Sequence, residues 1–191
     1  MKKLNVCVLF GGISPEHDVS LRSAESVLNN MDPEKYNILP VGITKEGDWI
    51  YYGGKDYSTL PDGSWKENPN NRRAAISPIR GQGLLVFEGD NVVRELVDVV
   101  FPVLHGENGE DGAMQGLLKL AVHGFRFGIV FFLTLQKGGD LCFQPLIIRP
   151  DGIHQRNLLF PVAFHGRTQV LQIQNVGTGS GCFRIQGSFP G

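Results

Sequence analysis

The residues best suited to chemistry fall in two glycine-rich stretches. Gly11-Gly12-Ile13-Ser14-Pro15-Glu16-His17-Asp18-Val19-Ser20 sets a carboxylate beside an imidazole. His105-Gly106-Glu107-Asn108-Gly109-Glu110-Asp111-Gly112 sets a second imidazole among acids. A carboxylate such as Glu16 binds cations through charge-assisted hydrogen bonds. An imidazole such as His17 or His105 donates, accepts or takes up a proton near neutral pH. The glycines allow a tight turn and close backbone approach. A helix starting after such a turn offers unpaired N–H groups to an anionic ligand group. The plainer alternative is that Glu16 and His17 are solvated loop residues and that His105 only ends a strand.

The flanking elements argue for a shared site. Leu4 to Phe10 is a short apolar run that reads as a buried strand. After the first loop, Val19, Ala24, Val27, Leu28 and Met31 recur at helical spacing, with Asp18 or Ser20 placed to cap the helix. Tyr36 to Thr44 reads as a second strand, which implies a right-handed parallel crossover. Lys45 to Asp48 is a turn, and Trp49 to Tyr52 a short strand after it. Gly53 to Gly83, rich in Gly, Pro, Asn, Asp and Ser, reads as loop, with Tyr57 and Trp65 as its anchors. Leu84 to Glu88 and Val92 to Leu96 form a hairpin pattern. Val97 to Leu104 is nearly continuously apolar, as a central parallel strand requires. A helix with Met114, Leu117, Leu118 and Ala121 on one face follows the second loop. Strand, glycine loop and helix thus occur twice. In a parallel α/β sheet with flanking helices both loops emerge at the carboxyl edge, so Glu16 and His105 are expected to face one crevice.

Net charge is −1, which gives no reason to expect nucleic acid or an anionic membrane as partner. Cys7, Cys142 and Cys182 are few, odd in number and far apart, which fits a reducing cytoplasm better than a disulfide framework. Lys2 and Lys3 before an apolar run imitate a signal peptide, but no small-residue cleavage site follows, so a first strand is expected. The longest apolar run, Gly128 to Leu135, is far below the roughly 18 residues that span a bilayer.

Three segments together resemble the D-alanine–D-alanine ligase family and the related D-alanine–D-lactate ligases. They are Gly11 to Ala24, then Val41-Gly42-Ile43-Thr44 with Gly47-Asp48-Trp49, then Leu104 to Leu118. The resemblance covers residues 1–121 in order and spacing. It implies a Rossmann-like pre-ATP-grasp domain that holds the first D-alanine. It implies an ATP-dependent reaction in which the first D-alanine is phosphorylated on its carboxylate and attacked by the amine of the second, giving a dipeptide for peptidoglycan. Glu16 then matches the glutamate that pairs with the ammonium of the first D-alanine and is the one catalytic assignment. His105 matches the histidine near its carboxylate, and Val19 and Ser20 match the pocket edge. These groups position substrate. A homodimer is also implied.

After Ala121 the family pattern gives way to Val122-His123-Gly124-Phe125-Arg126-Phe127-Gly128. The lysines, serine-rich loop and acidic ligands that bind ATP and Mg2+ in the complete family enzyme are not found in this chain. Residues 122–191 hold nine of the twelve Phe, no Glu and only Asp140 and Asp151 as acids, a composition unlike that of residues 1–121. Two readings follow: a small β-rich or disordered appendage, or out-of-frame sequence, which the abrupt end of the match favours. On either, the chain alone is expected to be a truncated, inactive ligase. The alternative is a non-catalytic binding module from a truncated gene. His123, His154 and His165 lack metal-ligand spacing, and Gly177 to Gly181 lacks the lysine of a phosphate loop. A nucleotide-binding oxidoreductase is disfavoured, because Gly11-Gly12-Ile13-Ser14 does not give the dinucleotide fingerprint.

Overall fold

The computed structural model describes residues 2–79 and 81–121 in full. Beyond these it describes the backbone of 128–135, 141–148, 159–164, 167–175 and 183–186. The expectations for His123, His154, His165, the Gly177–Gly181 segment and the origin of the tail fall outside the described residues.

Strand β1 (Leu4–Gly11) pairs in parallel with β2 (Tyr36–Ile43) on one side and β7 (Val99–Leu104) on the other. Helix α1 (His17–Asn30) makes the β1-to-β2 crossover, and α2 (Ala113–Ala121) follows β7. The parallel centre is therefore the one expected from the two apolar runs. The complete sheet is mixed. Antiparallel strands β3 (Trp49–Tyr51), β4 (Arg72–Ile76), β5 (Leu84–Glu88) and β6 (Asn91–Glu95) extend it beyond β2. Backbone strands β8 (Gly128–Leu135) and β9 (Leu141–Ile148) continue it beyond β7, while β10 (Leu159–Phe164), β11 (Arg167–Asn175) and β12 (Phe183–Gln186) form a separate antiparallel sheet.

Alternation along the central strands sends side chains to two cores. Val6, Val8, Phe10, Val99, Phe101 and Val103 face α1 and the 53–71 segment. Cys7, Leu9, Val100 and Leu104 face the other way, with Met114 and Leu118 of α2. His105 follows Val103 by two residues and so continues the α1-facing row.

Three expectations need correction. The 53–83 stretch is not all loop, since it contains β4 and two short 3-10 turns at Tyr57–Thr59 and Ser64–Glu67. Its anchor is as expected: Trp65 is fully buried and meets Phe10 edge-on, ring centroids 5.2 Å apart. A Cβ on Gly42 would lie 2.2 Å from the Trp65 ring, so the strand passes under the indole only because residue 42 has no side chain. Val19, expected in the apolar face of α1, is 41% exposed, because the buried row runs through Ser20, Leu21, Ala24, Val27 and Leu28. Neither Asp18 nor Ser20 caps α1; both lie inside the helix, whose N-cap is Glu16 with no side-chain capping bond.

Candidate functional site

The two glycine loops meet at the carboxyl ends of β1 and β7. In the first, Gly11 and Gly12 take φ values of 84° and 105°, where a side chain is strained. Gly12 N–H donates to the Ile43 carbonyl at 2.8 Å, and a Cβ on Gly11 would lie 2.2 Å from that oxygen. The chain thus turns off β1 hard against the end of β2. Ser14 starts the next turn, accepting from Glu16 N–H on its hydroxyl and from His17 N–H on its carbonyl.

His17 is not free to act as an external base. It is 2% exposed, and its Nδ1 lies 2.8 Å from the Gly12 carbonyl, so Nδ1–H donates and braces the turn. Ser20 is likewise internal. Its buried hydroxyl accepts from Gly11 N–H at 2.7 Å and donates to the Val103 carbonyl. One side chain therefore ties the end of β1, helix α1 and the end of β7 together. Asp18 reaches outward to Lys45 at 3.1 Å, and that ammonium holds its carboxyl below the usual range.

In the second loop Gly106 has φ 70° and its carbonyl accepts from the N–H groups of Gly109 and Glu110. Asp111 accepts from Asn108 N–H at 2.9 Å and Ala113 N–H at 3.0 Å, which covers the start of α2 and lowers its pKa.

Glu16 bridges the two loops. A Cβ built on Gly106 would stand 2.2 Å from Glu16 Oε2 and 2.6 Å from Ser14 Oγ. The carboxylate therefore lies against the Gly106 backbone, one residue from His105. His105 is 2% exposed. Its Nε2 is 3.3 Å from Ser23 Oγ, and its Nδ1 is 3.7 Å from Glu110 Oε1, within ion-pair reach but too far for a hydrogen bond. Burial pushes the imidazole pKa down, while the negative charges of Glu110 and Glu16 oppose that. Glu16 and His105, singled out from the sequence, are thus brought together, with Val19 exposed one helical turn from Glu16. Sequence reading missed Ser14 and Ser23. For Ser23 a signal existed: Glu16, Ser20 and Ser23 are spaced i, i+4, i+7 and share one face of α1.

The arrangement sets the Glu16 carboxylate near the buried His105 imidazole, between two backbone turns. It suits a small molecule with a cationic and an anionic end. A separate cavity of about 660 Å³ is lined by Trp49, Arg73, Phe87 and Leu117 among others and shares no residue with either loop. Among the described residues, no group of three or more His, Cys, Asp or Glu is placed to hold a metal ion. Lys35 and Lys45 pair with Asp32 and Asp18. No helix among the described residues is long and apolar enough to cross a membrane.

Residues 5–125 match the family described as D-ala D-ala ligase N-terminus, a span that contains both loops. A D-alanine–D-alanine ligase of Caldicellulosiruptor bescii is 50% identical over 122 residues, 63% of this chain and 32% of the relative. One from Acetivibrio thermocellus is 38% identical over 170 residues, 83% of this chain and 44% of the relative, so that alignment runs past the family match. The chain spans about a third of the length of the first of these relatives. Among solved structures, the D-Ala:D-Ser ligase VanG from Enterococcus faecalis superposes with TM-score 0.57 at 39% identity, over 63% of this chain and 34% of that one. The D-alanine–D-alanine ligase from Coxiella burnetii gives 0.53 at 36%, over 62% and 34%. With the loops, the parallel centre and most of its length matched together, the chain belongs to the D-Ala–D-Ala ligase family through that family's N-terminal domain.

Proposed function

We propose that residues 1–121 form the first-substrate domain of an ATP-dependent ligase that joins two D-alanines into D-alanyl-D-alanine for peptidoglycan. The observation that carries this reading is the placement of Glu16 against Gly106, beside the buried His105. Glu16 pairs with the ammonium of the first D-alanine, and the imidazole N–H of His105 receives its carboxylate. Exposed Val19 forms an apolar rim for the methyl group. Ser20 supports the pocket from beneath, since both its bonds run to backbone atoms. The domain's contribution is orientation, holding the substrate carboxylate towards the group that activates it. In this reading ATP and Mg2+ are held outside residues 1–121, and those residues supply the first-substrate side of the reaction. A cytoplasmic homodimer completes the reading.

A chimera tests the assignment. Residues 1–121 replace the matching segment of the Caldicellulosiruptor bescii ligase, and dipeptide formation is followed. The chimera is expected to make D-alanyl-D-alanine. Glu16→Gln is expected to raise KM for the first D-alanine and lower kcat, with kcat/KM down by about 10²-fold, the scale of a lost charge-assisted contact. An active chimera indifferent to Glu16→Gln removes Glu16 from the site.

A further inference from the structure

His105 presents two nitrogens to two different surroundings. Nε2 lies 3.3 Å from Ser23 Oγ on α1. Nδ1 is buried, has no hydrogen-bond partner among the described residues, and looks toward Glu110 Oε1 at 3.7 Å. A neutral imidazole has one donor and one acceptor nitrogen. With the proton on Nε2, the bare lone pair of Nδ1 would face an anionic carboxylate. With the proton on Nδ1, that N–H points into the negative field of Glu110 and Glu16, and Nε2 accepts from the serine hydroxyl.

We propose that Ser23 is a positioning residue whose hydroxyl donates to Nε2 of His105, holding the imidazole as the Nδ1–H tautomer and leaving that N–H for the anionic group of the ligand. The ligand part of this inference rests on the D-alanine reading above; the tautomer part does not. The partner of the nitrogen facing away from the ligand decides which nitrogen carries the proton, as it does for histidines that bind metals. The support is built into the helix. Ser20 ties α1 to the Val103 carbonyl, and Ser23, three residues on, reaches His105, two residues beyond Val103. The latch at Ser20 thereby sets the height at which Ser23 meets the ring.

The test is nitrogen-15 NMR on the full chain with labelled histidine, the His105 ring being assigned by its loss in His105→Gln. At a pH where the ring is neutral, Nδ1 is expected to show the protonated-nitrogen signature and Nε2 the bare one. Ser23→Ala is expected to lower the Nδ1–H fraction, and Ser23→Thr, which keeps the hydroxyl, to restore it. A wild-type ring protonated on Nε2 overturns the proposal, and that measurement stands even if Ser23→Ala does not fold. An unchanged tautomer in folded Ser23→Ala also overturns it. Added D-alanine is expected to shift the Nδ1–H resonance, with affinity about two- to tenfold weaker in Ser23→Ala, the range of one net hydrogen bond. A serine-dependent tautomer with no response to D-alanine supports the positioning role and contradicts the D-alanine reading, so the two failures are distinguishable.

Discussion

Burial drives the His105 imidazole below its ordinary pKa, and the carboxylates of Glu110 and Glu16 recover only part of the difference. The unfolded chain therefore binds the proton more readily than the folded one. Stability is undiminished above about pH 6.5 and falls as pH drops through that value towards the folded pKa, with a slope of at most about 1.4 kcal/mol per pH unit. His105→Gln should remove this component. Urea midpoints for wild type and variant are expected to converge as the pH is lowered from neutrality; parallel curves would contradict the assignment. Gly106 is the second sensitive position. A methyl group there meets the end of the Glu16 side chain at 2.2 Å, at a φ of 70° that disfavours any side chain. Because the contact is with a flexible carboxylate, Gly106→Ala should lower stability by only about 1–2 kcal/mol, from backbone strain. It should displace Glu16 and cost most of the D-alanine affinity. A variant that binds D-alanine normally would show that Glu16 does not need that wall. The proximity of Glu16 and His105 was legible in the sequence, because both sit in glycine loops at the ends of parallel strands. The internal roles of His17 and Ser20 were not, since they depend on contacts with the Gly12 and Val103 carbonyls, the latter 83 residues away.

At the scale of elements, two strand–loop–helix units carry the site and a third segment keeps them stiff. The continuous apolar runs of β1 and β7 announced themselves, because strands covered on both faces need apolar residues throughout. Strand β4 did not. Arg72-Arg73-Ala74-Ala75-Ile76 has little β propensity and lies in a stretch dense with turn residues; pairing with β3 and β5 makes it a strand. The segment before it is held by Trp65, packed on Phe10 and Tyr52 at the back of the first loop's strand. Trp65→Ala is expected to cost about 3–5 kcal/mol, as large-to-small core changes do, and to expose the 53–71 amides to hydrogen exchange. A loss below about 1 kcal/mol would mean that the indole only fills space beside an independently stable sheet.

At the scale of the molecule, the sheet combines a parallel centre that positions function with an antiparallel wing that extends the core. The parallel centre could be read from repeated units. The wing was legible in part: the strand at Trp49 and the hairpin from Leu84 were expected, while β4, which joins them into one sheet, was not. The chain covers about a third of its ligase relative, the part that receives the first amino acid under the proposed reading. That reading requires two loops separated by most of the domain to form one binding site. A D-alanine titration of the labelled full chain, followed by backbone amide shifts, tests this without any need for turnover. Gly12–Ser20 and His105–Gly112 are expected to respond together, to saturate with one dissociation constant in the millimolar range, and to lose the response in Glu16→Gln. Separate dissociation constants for the two loops, changes confined to the cavity near Trp49 and Phe87, or no saturable response would contradict it.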